Sequence, residues 1–365
     1  MELFPLHVGD TWLEPPEGCR MEDLHTAEYP GLHRYPSDTR GIPPLVDALV
    51  ERTRAERGIA CEREGVIVTV GATLALGNAL ATLIDPGEEV LLLAPYWPLI
   101  RGVVHANRGT PRDVPFFDRA TCAESAVELV RAHLSPRTAA LYVSTPSNPT
   151  GRVIPESWLA ALAELARREG LWILADEVYD ELVYTGRHVS IARFAPERTI
   201  TCASFSKTYG FAGCRIGYLV GPPELVAGMH RVAVHTGYNA PAPAQHAALR
   251  ALEHGAQWLA DARAQYAEAG AAAARTLGLP PPDGGTFLFV PVPESLSPES
   301  PSGEPPVVSF LRACLEDGIQ LAPGQAFGHD YTRWVRLCFT SAPPDRVAVA
   351  TARLATRLGN PRASC

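Results

Sequence analysis

The chain has 365 residues, 46% of them hydrophobic and 20% charged, with a net charge of −8. That length admits two domains or one large domain with a smaller companion, and the negative balance excludes a broad nucleic-acid-binding face. No apolar run nears the roughly 20 residues that span a bilayer; no signal peptide opens the chain; and eight scattered cysteines without a C-x-x-C pair point to reduced thiols in the cytoplasm, not to disulfides or zinc.

Taken in chain order, the spacing predicts a helix over 44–57, where Leu45, Val46 and Leu49 share one face. A short β-rich run at 66–70 leads directly into Gly71-Ala72-Thr73, and a second helix over 74–84 stops at Asp85-Pro86-Gly87. Strands at 89–93 and 139–144, a helix at 155–169 and further strands at 171–175, 199–203 and 216–220 follow. Continuous apolar strands alternating with amphipathic helices predict an α/β fold, a mostly parallel sheet covered by helices on both faces. Beyond Pro243 an alanine-rich segment over 245–277 reads as one or two helices, and the pattern then changes. Strands at 286–290 and 334–339, with helices at 307–316 and 344–358, predict a smaller α+β domain. The proline- and serine-rich stretch 291–306 reads as loop. The expected division is a large cofactor-binding domain over 41–255 and a small domain made of 1–40 plus 256–365.

One residue stands apart. Of 32 lysines and arginines, only Lys207 is a lysine. Biased composition explains why lysine is scarce, but not why one survives. Arginine serves equally well as a surface cation, whereas only a primary amine can lose its proton and condense with a carbonyl. The ends of the other strands carry Gly71-Ala72-Thr73, a helix entry suited to an anion; Pro95-Tyr96-Trp97; the turn Ser147-Asn148-Pro149-Thr150-Gly151; and Ala175-Asp176-Glu177-Val178-Tyr179. Each is weak alone: a plain N-cap, core aromatics, an ordinary turn. There is no Walker motif, and no histidine spacing suggests a metal.

In this order, GAT, PYW, SNPTG, ADEVY, SFSKTYGFAGCRIG and the later VRLCF resemble the class I/II aminotransferases, the fold-type I enzymes dependent on pyridoxal phosphate. The resemblance runs from Gly9 to about Phe339. It implies that Lys207 holds the cofactor as an imine and moves the substrate proton. Asp176 would face the pyridine nitrogen, Tyr179 and Asn148 the ring oxygen, and Trp97 the ring face. Ala72, Thr73, Ser204, Ser206 and Arg215 would bind the phosphate. Arg336 would clamp the substrate carboxylate, with Gly9, Trp12 and Asn148 beside it. Tyr35 would cross to a partner's phosphate, making the active unit a homodimer with shared sites. The N-terminal arm that many relatives wrap around the dimer is expected to be short, since few residues precede Gly9.

Trp12, Phe211, Tyr238 and Phe327 stand in segments that suggest an apolar or aromatic side-chain pocket, core packing being the alternative. The implied reaction is transfer of an amino group from an L-amino acid to a 2-oxo acid. A carbon–sulfur β-lyase or a cyclising enzyme of the same fold would use the same residues. An amino-acid-sensing regulatory domain ranks lower.

Overall fold

The computed structural model describes residues 2–297 and 304–359. In chain order the strands are β1 (Phe4–Pro5), β2 (Val66–Thr69), β3 (Glu89–Ala94), β4 (Thr110–Pro115), β5 (Thr138–Ser144), β6 (Trp172–Asp176), β7 (Thr199–Ser204), β8 (Gly217–Val220), β9 (Phe287–Pro291), β10 (Ile319–Gln320), β11 (Ala322–Pro323) and β12 (Trp334–Cys338). The helices are α1 (Pro43–Arg52), α2 (Gly71–Leu83), α3 (Leu99–Ala106), α4 (Ala123–Arg131), α5 (Glu156–Glu169), α6 (Phe205–Thr208), α7 (Pro223–Thr236), α8 (Ala242–His254), α9 (Ala256–Leu277), α10 (Val307–Glu316) and α11 (Pro344–Arg357).

Seven strands form the central sheet in the order β2-β8-β7-β6-β5-β3-β4. All neighbours are parallel except β8, which runs antiparallel to both β2 and β7. Apart from the edge strand β4, the strands of this sheet are buried on both faces, which is why they read as unbroken apolar runs. Val90, Leu92, Tyr142 and Leu174 pack with Leu76, Leu80, Ile100 and Val104 of α2 and α3. Leu91, Leu93, Leu141, Val143 and Ile173 pack with Val130, Leu159, Leu162 and Leu165 of α4 and α5. From β3 the chain steps outward to β4, then returns past β3 to build β5, β6 and β7 on the other side. This reversal leaves a crevice at the carboxyl ends of the strands, where open α/β sheets bind ligands.

The C-terminal part makes its own core. Strands β11, β12 and β9 form an antiparallel sheet, and β1 pairs with β10. Phe4, Leu6, Val290, Val335 and Leu337 pack there against Ala262, Ala269 and Ala273 of α9 and Val347, Ala350 and Leu354 of α11. The alanines let α9 and α11 approach closely, which is what the small-residue composition of 256–277 supplies.

Several sequence expectations need correction. The first helix runs to Arg57 as expected but is α-helical only to Arg52; its last turn, Thr53–Arg57, is a π-turn that closes on Gly58 at φ +64°. The second helix starts at Gly71, three residues earlier than its hydrophobic spacing suggested. Eight elements were not anticipated: β1, α3, β4, α4, α6, α7, β10 and β11. Strand β4, TPRDVP, is an edge strand with alternating burial, and its prolines and charges mask the strand pattern. The expected loop 291–306 lies partly outside the described residues; its start carries the end of β9 and a 3-10 turn at Glu294–Leu296.

Candidate active site

At the carboxyl edge of β5, β6 and β7 lies a cavity of about 260 Å³. Ala72, Thr73, Trp97, Asn148, Asp176, Tyr179, Ser204, Ser206, Lys207 and Arg215 all line it. These residues, singled out from sequence at five strand ends, therefore meet in one space. Leu76, Ser144, Val178, Ala212 and the exposed Leu99 complete the lining.

Lys207 lies in the short helix α6, straight after β7, and its Nζ donates to the Gly9 carbonyl at 2.5 Å. Its pKa is lowered, first by burial and then by the Arg336 and Arg215 guanidiniums, with Asp10 and Cys338 acting in opposition. A lowered amine is what nucleophilic and proton-shuttling lysines require. Gly9 comes close because it lacks a side chain: a Cβ there would stand 2.5 Å from Phe287 Cζ.

Asp176 ends β6 and is buried. Its Oδ2 accepts from Tyr142 Oη at 2.5 Å, whereas Oδ1 is buried with no partner. Burial pushes its carboxyl up to about 6, against the Tyr142 hydroxyl and the Val178 N–H, with the neighbouring Glu177 adding to the rise. A buried carboxylate oxygen without a donor waits for one from a ligand. Tyr179, one turn on, is buried and sets its ring edge-on to Phe287.

Across the cavity, residues able to hold an anion converge. Ser204 caps α6, accepting from the Ser206 N–H at 3.0 Å, and its hydroxyl lies 2.9 Å from the Ser206 hydroxyl. Ala72 and Thr73 open the 13-residue helix α2, whose first N–H groups face the cavity end. Arg215, in a left-handed conformation at φ +53°, lays its guanidinium over Gly71, where a Cβ would stand 2.6 Å from Nη2. Anion donors, an unpaired carboxylate oxygen and an amine thus line a single cavity.

Arg336, on β12, is buried beside the cavity. It donates from Nη1 to Asn148 Oδ1 at 2.9 Å and from Nη2 to the His7 carbonyl at 2.6 Å, and its Nε is buried without a partner. The guanidinium lies over the Phe287 ring at 4.1 Å and near Phe327 at 4.9 Å. Both fork partners are neutral, so a carboxylate would be a stronger acceptor.

Trp12 is half-buried, its ring edge-on to Tyr266 and its backbone N–H donating to the Thr340 carbonyl at 2.9 Å. Tyr35 is not part of this cavity; it is 76% exposed and packs against Tyr238. Phe211 is wholly buried in the core beside Tyr209, and Phe327 is buried under Arg336, so neither forms the open side-chain pocket the sequence suggested. Tyr238 is 44% exposed beside Tyr35.

Sequence reasoning missed Tyr142 as Asp176's partner and Ser144 in the lining. Tyr142 stands on the strand next to Asp176 and two positions before Ser144, the residue paired with it. No pattern local to either residue signals that pairing. Among the described residues, no group of histidine, cysteine and carboxylate side chains is arranged to hold a metal, and no helix is long and apolar enough to cross a membrane.

The family model for aminotransferase class I and II matches residues 4–354. The aspartate/prephenate aminotransferase of Thermus thermophilus is 33% identical, over 98% of this chain and 92% of that protein. The arginine–pyruvate transaminase of Pseudomonas aeruginosa is 32% identical over 92% and 85% respectively. Among solved structures, the Thermus thermophilus aspartate aminotransferase with maleate superposes with a TM-score of 0.86 at 32% identity, covering 98% of this chain and 92% of that one. The N-succinyldiaminopimelate aminotransferase of Mycobacterium tuberculosis gives 0.85 at 31% identity, covering 97% and 93%.

Proposed function

The chain belongs to the class I and II aminotransferases, and from that premise we propose that it works with pyridoxal 5'-phosphate, held through the amine of Lys207, on an L-amino acid and a 2-oxo acid. One observation carries this reading. The sole lysine shares its cavity with a buried carboxylate oxygen that lacks a partner.

When bound, the cofactor supplies an aldehyde for the amine and a cationic ring that accepts electrons from the substrate α-carbon. Lys207, its pKa lowered, takes a proton from that carbon and returns one. Asp176, through its free Oδ1, would keep the ring nitrogen protonated. Tyr179 and Asn148 would hydrogen-bond the ring oxygen, and Trp97 would pack against the ring. Ser204, Ser206, Arg215 and the N–H groups at Ala72 and Thr73 hold the phosphate. Arg336 turns its fork from Asn148 and the His7 carbonyl to the substrate carboxylate, with Gly9 and Trp12 alongside. Tyr35, exposed beside Tyr238, reaches a partner's phosphate, and the working unit is a homodimer. Relatives are named for aspartate and prephenate and for arginine and pyruvate, and the profile of amino acids accepted in the first half-reaction separates an acidic from a basic side chain.

Borohydride treatment of protein loaded with pyridoxal phosphate should fix a pyridoxyl mass on the peptide bearing Lys207; loading without that mass would overturn the reading. An amino acid alone should shift the cofactor absorption stoichiometrically, and a 2-oxo acid should reverse it. Continuous release of pyruvate and ammonia would instead indicate elimination. Size-exclusion chromatography at graded concentrations checks the dimer, which a fully active monomer would refute.

A further inference from the structure

We propose that Arg57 is a positioning residue for the transfer reaction, its buried guanidinium holding from behind the turn whose front carries Asp176 and Tyr179. This rests on the function proposed above.

The turn Asp176–Glu181 has two faces. Asp176, Val178 and Tyr179 line the cavity, while Glu177, Asp180 and Glu181 point the other way. Behind them stands the π-turn Thr53–Arg57. A π-turn inserts extra backbone into a helical path and re-aims the side chains at its end. Here it drives Arg57 inward, to 3% exposure. Its fork then meets three partners: Nε donates to Glu177 Oε2 at 3.1 Å, Nη1 to Tyr218 Oη at 3.2 Å, and Nη2 to Asp180 Oδ2. Arg52, one turn earlier, pairs with Glu181 and lies 3.9 Å from Asp180. His188 Nε2 lies 3.1 Å from the same Glu177 oxygen, Oε2, and Glu177 Oε1 is buried without a partner.

Stability alone does not explain this arrangement. A buried ion pair gains little over an apolar pair of similar volume, because both charges are desolvated. A planar fork with three fixed acceptors does something an apolar cluster cannot: it fixes the rotation of the backbone that carries them. The turn is tight, with Asp180 N–H on the Glu177 carbonyl at 3.1 Å and Leu182 N–H on the Tyr179 carbonyl at 2.9 Å. Rotating Glu177 therefore rotates Asp176. Asp176 Oδ1 has no protein donor of its own, so its aim depends on that backbone and on Tyr142.

The test compares Arg57→Met/Glu177→Gln, which removes both charges together, with Arg57→Lys, which keeps the charge but not the fork. Each is measured against the parent for melting temperature, dissociation constant for pyridoxal phosphate, pH dependence of the bound cofactor's absorption, and turnover per bound cofactor. The double variant should fold but melt below the parent, because it leaves Asp180 with Arg52 alone at 3.9 Å. Its turnover per bound cofactor should fall about tenfold or more, as small misplacements of catalytic groups do. The cofactor should bind more weakly, and its absorption should titrate at a shifted pH. KM for the amino acid should change little, because the Arg336 clamp is untouched. Arg57→Lys should show the same signature, smaller.

A merely structural role would lower only the fraction of folded protein, leaving affinity and turnover per site as in the parent. That result in both variants overturns this inference. A parent that takes up no pyridoxal phosphate overturns the proposed function and this inference with it. Uptake by the parent, with the variants unchanged, overturns this inference alone.

Discussion

On the cavity side of residues 176–181, Asp176 leaves Oδ1 without a partner, and Ser144 Oγ and Arg336 Nε nearby are also buried and unsatisfied. On the far side, Arg57 and Arg52 set their guanidiniums against Glu177, Asp180 and Glu181. An unpaired buried polar atom costs about 1–3 kcal/mol, so a fold retains several together where a ligand completes them. Glu177 Oε1 and His188 Nδ1 are also buried without a hydrogen-bond partner behind the turn, so what separates the two sides is charge pairing: ion pairs frame the turn behind, and the atoms in front form a receptacle. Asp176 and Glu177 are adjacent in the chain yet shift in opposite directions. Burial raises Asp176 to about 6; at Glu177 burial is outweighed by His188, Arg57 and Ser190, which bring it down to about 2.

The comparison breaks most completely at Lys207. Lys207→Arg should leave thermal stability nearly unchanged while the imine absorption vanishes and turnover falls by about 10³-fold or more, since a guanidinium neither condenses nor shuttles the proton; residual colour with normal turnover would refute its role. Asp176→Asn should still bind the cofactor but lose about 10²- to 10³-fold in kcat, the scale of a missing electrostatic stabiliser. Single-turnover absorbance measurements decide this. Arg336→Ala should raise KM for the amino acid by roughly fiftyfold, on the order of 2–3 kcal/mol, with little change in cofactor affinity; titrating both ligands separates the two.

The smallest effects sharpen the contrast through pH. Glu177 is depressed in the folded chain, so its stabilisation is present above its usual 4.5 and is lost as pH falls toward about 2. Asp176 is raised, so its contribution is present below its usual 3.8 and is lost as pH rises through about 6. In the cofactor-free protein, Glu177→Gln should flatten the acid limb of a melting-temperature profile, by on the order of 3 kcal/mol at most. Asp176→Asn should flatten the slope between about 4 and 6. Two profiles of the same shape would contradict the opposed environments.

The receptacle was far more legible in the sequence than the frame. Its residues follow strands of continuous apolar character, and short motifs such as SNPTG and SFSKTYG carry their chemistry within a few positions. The sheet then brings those ends together. The frame depends on Arg57 meeting Glu177 across 120 residues of chain, through a π-turn that no hydrophobic period announces. Helical spacing over 44–57 even predicted an unbroken helix there, which would have aimed Arg57 elsewhere. The partnership of Tyr142 with Asp176 was hidden for a similar reason: it is a relation between neighbouring strands, and strand order is not written in either strand.

The solitary lysine, half-buried and bonded to the Gly9 carbonyl, also makes the protein its own labelling experiment. Reagents that modify amines meet a single ε-amino group in the entire polypeptide, besides the α-amino group at the chain start. Protection of that one position, followed by mass spectrometry of the peptide bearing it, reports occupancy of the centre without any engineered tag.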